Sequence, residues 1–148
     1  MKWLFSTRGR LGRGAYSCAL LLLIALSVIL MFFGLGMVSV QSDAGIEQRL
    51  DPAGGVVLQF IFFYPWLALG LRRRHDRNNS GYDLVAFGLF GLAYSVYGTT
   101  VPLHNTISVA DVAVSGIMYI WLLLGIYLFI VLFLLRGTAG ENRYGPVP

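Results

Sequence analysis

Four apolar runs separated by short polar segments set the plan of the chain. Ala15–Val40, Ala53–Leu71, Leu84–Leu103 and Val112–Leu135 contain no charged residue. A helix needs about 20 apolar residues to cross the hydrocarbon of a bilayer, so each run has the length of a spanning helix. The runs are continuous rather than alternating, which argues against a transmembrane β-barrel. The expected fold is therefore a single all-α domain over residues 1–148. It is an integral membrane four-helix transmembrane bundle, with spans near 15–40, 53–71, 84–103 and 112–135. Pro65 removes a backbone donor inside the second run and predicts a kink. Tyr64 and Trp66 beside it suit the membrane interface. Gly88 and Gly91 would let a neighbouring helix approach closely.

The polar segments divide into two kinds. Met1–Gly14 is basic and amphipathic, and Lys2, Trp3, Leu4 and Phe5 suit a segment lying on the bilayer surface. The apolar run after it is longer than the roughly 7–15 residues of a secretory signal core, so it is expected to remain as a span. Gln41–Pro52 is net acidic, and His104–Asp111 reads as a short turn. Residues 72–83 read as a highly charged central loop, and Gly137–Pro148 as a polar tail. Of the eleven Lys and Arg residues, only Arg49 falls outside the N-terminal lead, the central loop and the tail with Arg136 just before it. Positive residues accumulate on the cytoplasmic side, so both termini and the central loop are expected to be cytoplasmic.

Composition sharpens this picture. The chain is 57% hydrophobic and 12% charged, where a soluble domain carries about 25% charged residues. Lipid is then the solvent for most of the surface. The single Cys18 excludes an intramolecular disulfide and reads as a small packing residue. No Asp, Glu, Lys, Arg or His lies inside any of the four runs, which counts against a lone ion-coupled transporter. There is no glycine-rich phosphate loop and no nucleophile elbow.

The candidate chemistry lies in the basic segments. Arg10 and Arg13 are three apart and share a helical face. At a helix N-terminus the macrodipole opposes them, so they call for an anion: lipid phosphate, a carboxylate or the tail. Arg72, Arg73 and Arg74 suit an anionic leaflet, which would repel Asp76. Asp76 is therefore expected to hold an arginine or the His75 imidazole from within. Asn78-Asn79-Ser80-Gly81 is turn chemistry, with Ser80 or Asp83 able to cap the third helix. A zinc site draws on three or four N, S or O ligands. This face offers only His75, Asp76, Asp83 and Glu141, so no metal and no cofactor is expected.

Three ordered motifs carry a resemblance. Gly9-Arg10-x-x-Arg13 precedes the first run. Arg73-x-His75-Asp76, followed by Ser80-Gly81, precedes the third. Gly140-x-Asn142-x-Tyr144-Gly145 closes the chain. Together they resemble the small bacterial inner-membrane proteins of domain-of-unknown-function family 805, the YhaH-like proteins, over nearly the whole chain. The resemblance implies a four-span protein of the bacterial inner (plasma) membrane and supplies no activity. Arg74 stands where the family usually has an aliphatic or small residue. Tyr82 stands where Trp is frequent, and Gly12 where a small polar residue such as Ser is common.

All three motifs are expected on one face. There Arg10, Arg13, Arg73, His75, Asp76, Ser80, Gly81, Asn142 and Tyr144 would form an anion-receptive cluster. The leading expectation is a non-enzymatic membrane protein whose cluster binds anionic lipid headgroups or docks a partner, either a second copy or another membrane protein. No nucleic-acid partner is expected. Two other readings stay open: a small transporter or transporter accessory subunit, and a membrane enzyme acting on lipid-linked phosphate with His75 as base or nucleophile.

Overall fold

The structure, a computed structural model, describes residues 6–33, 37–42, 45–100, 109–146 and 148. Among them are four helices: α1 (Arg13–Phe33), α2 (Pro52–Asp76), α3 (Tyr82–Thr100) and α4 (Val109–Phe129). A π-helical turn, Ile130–Leu134, extends α4. Strands β1 (Met37–Ser42) and β2 (Gly45–Leu50) form an antiparallel hairpin between α1 and α2, pairing Met37 with Leu50 and Ser42 with Gly45. The helical frame is as expected, and the hairpin is not. Val38-Ser39-Val40-Gln41 alternates with the period of a strand, although it continues an uncharged run. The first helix therefore stops at Phe33 instead of reaching Val40, and Gly45–Leu50 of the acidic segment forms β2.

Among the described residues three helical stretches are long and apolar enough to cross a membrane: Arg13–Phe33, Ala53–Asp76 and Gly116–Leu134. The apolar part of α3, Tyr82–Tyr97, is shorter. Large apolar side chains face outward, among them Leu22, Phe33, Ile120 and Leu123, as lipid solvation requires. Cys18 is also exposed rather than packed. Met1–Phe5 and His104 lie outside the described residues.

The second helix corrects two boundaries. The Asp51 carboxylate accepts from the amides of Ala53 and Gly54 at 3.0 Å each. Pro52 stands at the first helical position, where it needs no backbone donor. At the other end α2 runs through Pro65 and on to Asp76. Arg72–Asp76 is thus the last helical turn and not a loop, and the connection shrinks to Arg77–Gly81. Asn78 and Gly81 take positive φ there, 55° and 78°. The Gly81 carbonyl accepts from the Leu84 and Val85 amides, so Gly81 stands at the cap of α3 where Ser80 or Asp83 was expected, and the Asp83 carboxylate accepts from the Leu84 amide at 2.9 Å from inside the first turn.

The buried core lies toward this end of the bundle, where Leu11, Tyr16, Leu20, Leu69, Leu84, Leu128 and Leu132 cluster. Gly88 lies against α2 as its sequence position suggested: a Cβ there would stand 2.7 Å from Trp66 and 2.8 Å from Phe63. Trp66 itself packs between Phe63 and Phe87, half-buried among the helices.

Candidate functional site

Asp76, the last residue of α2, is 3% exposed and is bound by two buried arginines. Its Oδ1 accepts from Arg10 Nε at 3.0 Å and from Arg10 Nη2 at 2.9 Å. Its Oδ2 accepts from Arg73 Nη1. One carboxylate inside the protein thus faces two guanidinium groups, and the extra positive charge falls to backbone carbonyls.

Arg10 reaches three of those carbonyls in the C-terminal tail. Nη1 donates to Gly140 O at 2.6 Å and to Gly145 O at 3.3 Å, and Nη2 to Thr138 O at 2.8 Å. With the two bonds to Asp76, these occupy all five N–H groups of the guanidinium. Arg73 is fully buried and turns the other way. Its Nε donates to Leu132 O at 2.9 Å and its Nη2 to Leu135 O. A helix leaves its last carbonyls without intrahelical partners, and a cation at that end is favoured by the macrodipole. Arg13 does the same from outside, donating to Leu134 O at 3.1 Å. This offsets its unfavourable place at the first residue of α1.

The tail is folded onto this node. The amide and hydroxyl of Thr138 both donate to Asp76 O, at 2.9 and 3.0 Å. Asn142 Nδ2 donates to His75 O at 3.0 Å, and its Oδ1 accepts from the Tyr144 amide at 2.9 Å. Asn142 and Gly145 pair through their backbones. Gly140 and Gly145 hold φ at 87° and 124°, backbone that favours glycine. A Cβ on Gly137 would run into the Asp76 carboxylate. From the other terminus, the Leu11 amide donates to Arg72 O at 3.2 Å.

His75 is set apart from the carboxylate. Its ring stacks on Tyr144, with centroids 3.9 Å apart and planes 8° from parallel, and Arg143 lies over the other ring at 4.7 Å. Its Nδ1 is buried with no hydrogen-bond partner among the described residues. Asp76 therefore holds arginines and not the imidazole. The Asp–His pair that a base or nucleophile would draw on is absent among the described residues.

Of the nine residues expected to cluster, Arg10, Arg73, Asp76, His75, Asn142 and Tyr144 come together. Arg13 is directed to the end of α4, and Ser80 and Gly81 belong to the turn before α3. Arg74 instead bonds Asp83 and, at 3.2 Å, the Tyr127 hydroxyl. Gly137 and Thr138 carry as much of the geometry as the motif residues. Little in their residue type announced this, because Thr138 works through its amide and carbonyl as well as its hydroxyl. Among the described residues no group of three His, Cys, Asp or Glu side chains is placed to hold a metal ion.

The family described as "Protein of unknown function (DUF805)" matches the chain over residues 4–146. No curated protein and no solved structure matches it.

Proposed function

The chain belongs to the DUF805 family, and on that premise we propose that it is a non-enzymatic, multi-pass protein of the bacterial inner membrane. In this reading its outward arginines bind anionic lipid headgroups at the cytoplasmic surface. The observation that carries the reading is the saturation of Arg10. Its five N–H groups are all held by protein acceptors, and Arg73 is enclosed, so the Arg10–Asp76–Arg73 node is a clamp rather than a receptor. Anion binding then falls to Arg8, Arg136 and Arg143, which are exposed, while Arg13 is engaged with Leu134 O. Hydrogen bonds join the N-terminal segment, the end of α2 and the tail. The exposed arginines therefore gather at one end of the bundle, as a positive-inside topology requires. Each is worth about 1 kcal/mol against an anionic leaflet.

Native mass spectrometry on protein equilibrated with phosphatidylglycerol or phosphatidylcholine tests this. Replacing Arg8, Arg136 and Arg143 together by Gln is expected to remove phosphatidylglycerol adducts and leave the melting temperature unchanged. Arg10→Ala is expected to lower the melting temperature. Retention of the adducts by the triple variant would sink the proposal.

A further inference from the structure

A second feature lies away from the arginines, deep among the helices. A partly open cavity of about 480 Å³ is bounded by α1, α2, α3 and α4, within the roughly 300–1,000 Å³ of small-molecule sites. Its walls are aromatic and aliphatic, with Phe62, Trp66, Phe87 and Trp121 on one side and Leu20 and Ile24 of α1 on the other. Among the described residues no charged side chain lines it, so an ionic guest would find no counter-charge.

Two lining side chains are polar: the Ser27 hydroxyl donates to Ile24 O at 2.8 Å within α1, and Gln59 is out of keeping with the rest. Gln59 lies six residues after Ala53 in the uncharged run Ala53–Leu71, about 9 Å along the helix from its start, and so inside the apolar layer. Its Oε1 accepts from the Ser95 hydroxyl of α3. Its Nε2 has no hydrogen-bond partner among the described residues and lies over Gly91, 3.8 Å from where a Cβ would stand. An amide donor in hydrocarbon is costly unless it meets an acceptor. Aromatic walls, the lack of charge and one donor without an acceptor describe a guest with a matching form.

We propose that this cavity binds an uncharged, lipid-soluble molecule with a carbonyl oxygen, which accepts a hydrogen bond from Gln59 Nε2 while its apolar body packs against Trp66, Phe87 and Trp121. The guest enters from the bilayer, where such molecules are dissolved. This site is independent of the lipid-headgroup reading and stands or falls separately.

Two of the chain's three tryptophans line the cavity, so their emission reports occupancy in a Trp3→Phe background. Full-length protein in lipid nanodiscs is titrated with decylubiquinone, a quencher with ring carbonyls on an apolar chain. Quenching is expected to saturate. Gln59→Leu, which keeps the volume and removes the donor, is expected to weaken binding about tenfold, the value of one hydrogen bond. Gly55→Leu fills a position where a Cβ meets nothing within 4 Å, and is expected to abolish saturation without loss of thermal stability. Linear quenching that is equal in all three proteins would overturn the proposal. So would loss in Gly55→Leu with full binding in Gln59→Leu, since the cavity would then be a chain-filled space with no carbonyl recognition.

Discussion

Among the described residues Asp76 carries the only negative charge between Arg10 and Arg73, and removing it strands two cations where water does not reach. Breaking a buried pair from one side costs about 3–5 kcal/mol. Asp76→Asn is therefore expected to lower thermal stability in detergent by an amount of that order. A loss below about 1 kcal/mol would show the node to be solvated. At this scale the sequence was partly readable. Asp76 stood out because an anionic leaflet would repel it, and its role as an internal partner followed from that. Arg10 did not disclose its partners, because the acceptors are the backbone carbonyls of Thr138, Gly140 and Gly145, which every residue type presents alike. His75 was misleading for a simpler reason: adjacency to Asp76 in sequence does not bring the two side chains together on a helix.

Among the elements, the four helices were legible because lipid solvation demands long uncharged runs. Their ends were less so. Arg72–Asp76 is fully compatible with a helix, yet its change in polarity resembles a turn, and β1 is hidden inside a continuous apolar run. The π-helical turn at Ile130–Leu134 has no residue signature at all, although its carbonyls engage Arg13 and Arg73. The hairpin and the tail lie at opposite ends of α1 and α2, which gives a direct test of orientation. In a Cys18→Ala background, Ser39→Cys is expected to react with a membrane-impermeant maleimide on intact cells. Glu141→Cys is expected to react only after permeabilisation. The reverse pattern would invert the proposed topology.

For the molecule as a whole, the tail stabilises as much as it terminates. Removing the residues after Arg136 takes away the three carbonyls that Arg10 uses and the Thr138 and Asn142 bonds to the end of α2. Truncation is expected to leave the helical content nearly intact. It should also speed proteolytic cleavage near residues 6–12, measured by timed digestion in micelles. An unchanged digestion rate would mean that the N-terminal segment is held without the tail.

The span between those partners has a bearing on how the protein is made. Arg10 is separated by 66 residues from Asp76 and by 128 to 135 from its tail acceptors. While the chain is being synthesised, Arg10 emerges early and its carbonyl partners emerge only after every helix has been delivered to the insertion machinery. Until then its guanidinium has water or lipid phosphate as its only abundant acceptors beyond Asp76. Closure of the node is thus a late event in biogenesis. A quality-control protease that recognises a loose basic N-terminal segment would be reading whether the rest of the protein has arrived.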